Sequence, residues 1–408
     1  MARTGRKARL FSARPRCLWT CDAPTVGYAN TMKPDWPRLA ARLAARIPPG
    51  TLHPAVLAWV EGRSRTARGA WAVAFSGGAD SLALLLLLWA HYPDRRRKLV
   101  ALHFNHRLRG RAADADEVWC RRVVKALGVG FQSGRWRRAA QATGEAASRA
   151  ARLAFFEREQ RRRRAPSLWL GHQQDDIAES MLMRLARGSG TAGLAAPRPV
   201  APRPGGRVHL RPLLTWSKAG ITAALRAVGA VWREDATNAG DDFFRNRVRR
   251  SVMPAWRRAA AGRDALAGAA LARERLEEDD KALEAWVDVI FSGGTSGADA
   301  TAKAAGRSKT APRKKVKMQW GTLDLAALAG VPVAVARRAL HRWLLAQPDS
   351  GDLSRQGFDL LLAAVGRGTA TRFSLGRNGF AVIRRGRLFY ERKRPGRSAA
   401  GKQTRAGN

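Results

Sequence analysis

Short apolar runs alternate with Gly, Pro and Arg clusters along the middle of the chain, as buried strands and helices do in an α/β protein. Ala70–Phe75 is one such run, and Leu-rich Leu82–Ala90 follows it after two glycines. Together they predict a buried strand, a tight turn and a buried helix starting near Ser81. Lys98–Phe104, Ser167–Leu170 and Val208–Leu214 predict three more strands. Apolar residues at helical spacing predict Asp114–Leu127 (Val118, Val123, Val124, Leu127), stopped at Gly128, and Ser217–Val228 (Ile221, Leu225, Val228), stopped at Gly229. Gln141–Glu159 is Ala-rich and helical, another helix runs from Asp175 through Leu185, and Pro197–Gly206 reads as a loop. Strands alternating with helices predict a Rossmann-like parallel sheet with helices on both faces.

Beyond Trp256 the pattern changes. Arg258–Val289 predicts a long helical segment with Leu266, Leu271, Leu276 and Leu283, and Val331–Gly366 predicts two helices. Thr371–Arg392 alternates and turns at Arg377-Asn-Gly and Arg385-Gly, so the mostly helical second domain is expected to end in short strands. Residues 292–317 are Gly/Ser/Ala/Lys low complexity, expected to be a disordered insertion. The organisation expected is an α/β domain over 32–256, a mostly helical domain over 257–392 and a basic tail over 393–408. Residues 1–31, Arg-rich and aperiodic, read as a disordered basic extension or as a misassigned start, with Met32 opening the folded chain.

Charge adds a partner class. The 408 residues carry 75 Lys and Arg against 32 Asp and Glu, a net charge of +43. That excess predicts attraction to a polyanion, with nucleic acid first and an acidic membrane surface second. Arg outweighs Lys, which favours bidentate phosphate contacts. Cys17, Cys21 and Cys120 form no Cys-x-x-Cys, which argues against a disulfide framework or a structural metal site. Leu82–Ala90 is too short to span a membrane and no signal core is evident, so the cytoplasm is the expected compartment.

The chemistry gathers after the strands. Ser76-Gly-Gly-Ala-Asp-Ser81 offers glycines able to take φ > 0 (Gly77 and Gly78), helix-start amides and two hydroxyls, a set that suits an anion. A carboxylate there, Asp80, repels phosphate unless a divalent cation or a reacting group lies between. His103, Asn105, His106 and Arg109 cluster after the second strand, where open sheets keep ligands. After the third come His172, Asp175, Asp176 and Glu179, the three carboxylates expected on one helix face, able to hold Mg2+ or a substrate amine. Acids at a helix N-terminus are also plain capping chemistry. Glu145, Arg149 and Arg152 fall on one face, as a salt-bridged surface also would. Arg245, Arg247 and Arg249, interleaved with Asn246 and Phe residues, read as a phosphate-binding strip.

The turn resembles the pyrophosphate-binding loop of the N-type ATP pyrophosphatases, the PP-loop enzymes that cut ATP between its α and β phosphates and adenylate a carbonyl-type oxygen. Over Ala70–Trp256 the ordered set is closer still to one family. It comprises the turn, His103–Arg109, Glu145 with Arg149, His172…Asp175-Asp176…Glu179, Arg184…Gly190, Arg211-Pro-Leu-Leu214, Trp232…Asp235…Asn238 and Arg245–Arg249. This resembles the tRNA(Ile)-lysidine synthases. The resemblance makes 32–256 the PP-loop ATP-binding catalytic domain; residues 257–392 resemble, more weakly, the tRNA- and substrate-binding domain that follows it in the family, and the chain is expected to stop without the further C-terminal domain of some members. Two positions depart from the pattern: Gln173 stands where a second His is usual, and Ile177 where Gln is usual.

The resemblance implies a ligase that uses ATP and Mg2+ to join free L-lysine to C2 of the wobble cytidine in the CAU anticodon of tRNA(Ile), through an adenylated base. It implies ATP contacts from Ser76, Gly77, Gly78, Ala79, Asp80, Ser81, His103, Asn105 and His106, with Mg2+ at Asp80. It implies catalytic roles for Asp80, His172, Asp175 and Asp176, either aspartate being able to take the lysine ammonium. It assigns Arg109, Glu179, Arg184, Arg245, Asn246, Arg247 and Arg249 to substrate or tRNA, and leaves a homodimer open. The alternatives are another PP-loop tRNA-modifying enzyme of thiolase type, or a basic RNA-binding protein with an inactive ATP site.

Overall fold

The computed structural model describes residues 34–63, 69–107, 110–136, 144–234, 244–292, 322–347, 353–376 and 379–393. The 1–31 extension, nearly all of the 292–317 insertion and of the 393–408 tail, and Arg109, Asp235 and Asn238 lie outside them.

Six strands form the first sheet: β1 (Trp71–Ala74), β2 (Leu99–Asn105), β3 (Gly130–Arg135), β4 (Ser167–Trp169), β5 (Val200–Arg203) and β6 (Arg207–Leu210). Their order is β3-β2-β1-β4-β6-β5, parallel except for β5, which returns antiparallel along β6. Side chains alternate between two cores, as the pleat requires. Trp71, Val73, Leu99, Ala101, Trp169 and Leu210 face one core; Ala72, Val100, Leu102 and Leu168 face the other.

The first core is closed by α1 (Trp36–Arg46), α2 (Pro54–Arg63), α3 (Ala79–His91), α4 (Arg111–Ala126) and, further on, α8 (Lys218–Val228). Between α4 and α8 come α5 (Glu145–Arg162), α6 (Gln174–Leu185) and the one-turn α7 (Thr191–Leu194). Leu82 to Leu88 of α3 are all essentially buried, because α1 and α8 cover the side turned away from the sheet. The other core is closed by Phe155 and Phe156 of α5. Helices therefore lie on both faces, as the alternation of strands and helices predicts. The sheet changes direction of growth between β1 and β4, and ligands of open α/β sheets bind outside the carboxyl ends of strands at such a point.

Several expectations need correction. β3 has no buried run behind it, only Phe-Gln-Ser-Gly-Arg at the sheet edge, and the sequence showed no strand there. β5 lies inside the expected Pro197–Gly206 loop; Pro202 is tolerated because the strand is an edge. The strand expected over 208–214 ends at Leu210, where Pro212 opens a 3-10 turn. Val118 and Leu271, expected on apolar faces, are exposed.

After β6 and α8 the chain forms α9 (Phe244–Arg247), a wide π-type turn (Val248–Val252), α10 (Met253–Ala259) and α11 (Ala265–Phe291). α11 runs from one core into the next. Leu266 and Ala269 pack with Ile177 and Ala178 of α6, whereas Val287 and Ile290 pack with α12 (Val333–Leu345) and α13 (Arg355–Arg367). A four-stranded antiparallel sheet, ordered β7-β10-β9-β8, completes that second core with β7 (Thr322–Asp324), β8 (Thr371–Ser374), β9 (Gly379–Arg384) and β10 (Arg387–Arg392).

Candidate active site

The β1–α3 turn has the conformation an anion needs. Gly77 takes φ +91, and a Cβ there would come within 3.0 Å of the Cys120 sulfur on α4. Gly78 does not take φ > 0, contrary to expectation; at φ −71 it is the cap residue of α3. α3 starts at Ala79, earlier than Ser81. With glycine as cap, the first amides of α3 have no side-chain acceptor, which leaves them for a ligand. Ser81 holds the turn in shape. Its Oγ accepts from the Ser76 amide at 3.2 Å, donates to the Gly78 carbonyl at 3.0 Å and lies 3.1 Å from the exposed Ser76 hydroxyl. The Arg233 amide donates to the Gly77 carbonyl at 3.0 Å, so the segment after α8 also braces the turn.

Asp80 stands at the seam between β1 and β4. One of its oxygens accepts from Lys218 Nζ at 2.8 Å, while the other is buried without a hydrogen-bond partner. Burial raises its pKa, an effect opposed by the Lys218 ammonium. An orphaned carboxylate oxygen beside free amides suits a cation shared with phosphate, since Mg2+ typically takes one or two carboxylates and completes its shell with phosphate and water. No group of three or more His, Cys, Asp or Glu among the described residues forms an all-protein cage.

Gly171, after β4, makes this seam close. A Cβ on it would lie 2.9 Å from the Asp80 carbonyl oxygen, so only glycine lets the β4 loop pass the start of α3. The sequence marks Gly171 only as the residue before His172. His172 Nδ1 accepts from Arg211 Nε at 3.0 Å, which leaves the ring proton on Nε2. Burial, then the Arg211 and Arg245 charges, hold its pKa well below the ordinary value, so the imidazole is neutral. Gln173 caps α6. Its side-chain oxygen accepts from the Asp175 amide at 2.5 Å, and its own amide donates to Asp176 at 2.9 Å. At the usual His position this chain thus uses an N-cap. Ile177 is buried in the core shared by α6 and α11.

The three carboxylates do not share one face. Asp176 and Glu179 turn inward to Arg245 and Arg249: Arg245 Nη2 lies 2.5 Å from Asp176, and Arg249 Nε lies 2.6 Å from Glu179. Asp175 turns the other way. It accepts from the Lys218 amide at 2.8 Å and from the Arg257 guanidinium. Arg245 and Arg249 are therefore carboxylate partners here and not free phosphate-binding arginines. The π-type turn carries Arg249 onto the same carboxylate as Arg245. Asn246 is buried; of the strip only Arg247 is exposed.

Two expected ATP contacts are buried in the fold. His103 Nδ1 bonds the Phe75 carbonyl at 3.0 Å, and Asn105 donates to Asp114 at 2.9 Å while accepting from the Arg107 amide at 2.8 Å. Both side chains shape the end of β2. His106 remains half-buried at the rim, bonded to Ser148 at 2.7 Å. Arg184 bonds the Gly193 carbonyl. Its pKa is lowered by burial and by Arg149, Arg187 and Arg198, the mark of a crowd of positive charge beside α6. Lys218, Arg257 and Gly171 belong to the site and carry no motif signal that would single them out.

Free amides after β1, with carboxylates at the ends of β1 and β4, define a PP-loop domain, and the family model described as a PP-loop domain matches residues 57–256. The tRNA(Ile)-lysidine synthase of Bradyrhizobium sp. is 34% identical over 279 residues, 67% of this chain and 73% of that one. That of Geobacter sulfurreducens is 39% identical over 220 residues, 52% and 44% of the two chains. That of Pseudomonas syringae pv. tomato is 42% identical over 210 residues, 50% and 44%. The chain belongs to the tRNA(Ile)-lysidine synthase family. Its matched part spans less than half the length of the last two relatives.

Proposed function

We propose that the protein joins free lysine to C2 of the wobble cytidine in a CAU-anticodon tRNA(Ile), with ATP as the activating substrate. The C2 oxygen attacks the α-phosphorus, an O–P bond forms and pyrophosphate leaves. The lysine ε-amine then attacks C2, the C–N bond forms, the C–O bond breaks and AMP leaves as the amine loses its proton. The observation that supports this reading most is the seam at Gly171, which brings the anion-ready turn, Asp80 and the neutral His172 together at one switch point. The α3 amides are suited to holding the departing pyrophosphate. Asp80 would hold Mg2+, which offsets phosphoryl charge.

Asp175 and Asp176 would take the lysine ammonium, each by exchange for the arginine it now holds. His172, neutral and protonated on Nε2, offers a hydrogen-bond donor and not a positive charge. Cys120, the cysteine among the described residues, is buried and its thiol pKa is pushed up, which argues against sulfur transfer through it. The basic surface and Arg247 suit the RNA backbone, while an unstacked anticodon base would enter the site.

The test is pyrophosphate exchange into ATP in the presence of the tRNA. Asp80→Asn is expected to abolish exchange and to leave tRNA affinity within about twofold, since neutralising one carboxylate removes no phosphate contact. Full exchange by Asp80→Asn would contradict the assignment.

A further inference from the structure

Lys218 is placed against its own helix. It is the first residue of α8, where the helix field disfavours a cation, and Ser217 already caps that end by accepting from the Gly220 amide. A lysine at such a position contributes little to the helix itself. Its backbone is nonetheless fixed from the site, because the Lys218 amide donates to Asp175 Oδ2 at 2.8 Å. The preceding loop is tied to α6 as well, through the Gln174 amide and the Trp216 carbonyl at 2.9 Å. From this anchored start the side chain reaches back to Asp80, and Nζ ends 2.8 Å from Oδ2. The half-exposed ammonium thus occupies one oxygen of the carboxylate whose other oxygen is buried and unpartnered.

We propose that Lys218 is the resting counter-ion of Asp80, an ammonium that holds the carboxylate until nucleotide and divalent cation arrive and then passes to the phosphates. The inference rests on the nucleotide site proposed above. Without Lys218, the largely buried Asp80 carboxylate would keep only the more distant Arg249 charge. When a divalent cation takes Asp80, the ammonium is released within reach of the same turn, where phosphate charge must be balanced. Asp175 sets this exchange by pinning the Lys218 backbone, and so acts on Asp80 without touching it.

The exchange makes two affinities move in opposite directions. In the full chain, Lys218→Met is expected to bind Mn2+ alone severalfold more tightly, read by electron paramagnetic resonance of the free ion. It is expected to bind Mg2+–ATP at least tenfold more weakly, read by calorimetry without RNA. Lys218→Arg keeps the charge and is expected to recover most of the Mg2+–ATP affinity. Wild-type affinity for both ligands in Lys218→Met, or a parallel loss of both with a lowered melting temperature, would overturn the role. Wild-type protein that binds no Mg2+–ATP would instead contradict the nucleotide site, and this proposal with it.

Discussion

His209 lies on β6, paired in register with Leu168, and only 4% of it is exposed. Burial first, then Arg203, Arg211 and Arg207, push its pKa down to about 3. A group whose folded pKa lies below its unfolded value expels its proton on folding. Its contribution is complete above pH 6.5 and is lost as the pH falls through the window below it. His172, His103, His53 and His91 are shifted the same way, all chiefly by burial. Stability to urea is therefore expected to fall between pH 7 and pH 5. His209→Gln should flatten that fall by about 1–2 kcal/mol; an unchanged slope would contradict the assignment. At this scale the sequence exposes the motif residues but not their partners. Asp80 stands out as an acid in an anion-binding turn, whereas Lys218, 138 residues on, carries no local signal. Arg245 and Arg249 look like phosphate contacts in sequence because Asp176 and Glu179, their partners, lie far back in the chain.

α11 ties the parts of the molecule together. Asp280, almost wholly buried at its middle, pairs with Arg198 from the segment before β5 and, at 2.5 Å, with Arg338 of α12. Arg338 also donates to Thr191 of α7 at 2.6 Å and to Glu284 at 2.8 Å. The Arg198 carbonyl accepts from Arg211 at 2.7 Å, and Arg211 in turn donates to His172. A connected path thus runs from the second core to the imidazole. Asp280→Ala would take the shared carboxylate from Arg198 and Arg338, of which Arg338 keeps Glu284 and Thr191, and breaking a buried pair costs about 3–5 kcal/mol. Urea unfolding should register a loss of that order; a change below about 0.5 kcal/mol would show the pairs to be no better than surface ones. The elements were legible where period and burial agree: β1, β2, β4, α3 and α8 follow from apolar runs, with glycines closing β1, β4 and α8. β3 and β5 were not, because edge strands need no buried run and their pairing is set by β2 and β6.

At the scale of the whole molecule, the fold class follows from alternation, since strands and helices in turn leave few other ways to bury both sheet faces. The net charge of +43 is a separate property, and it suits a polyanionic partner. No described helix is long and apolar enough to cross a membrane. The proposed reaction would unite this sheet, this turn and this charge on one base of one RNA. The most direct measurement incubates the full chain with ATP, Mg2+, labelled lysine and a CAU-anticodon tRNA(Ile) transcript, following label into RNA and release of AMP. Lysine incorporation is expected to match AMP release and to vanish when the wobble C is replaced by U. AMP release with no lysine incorporated, or incorporation indifferent to that replacement, would contradict the proposed reaction.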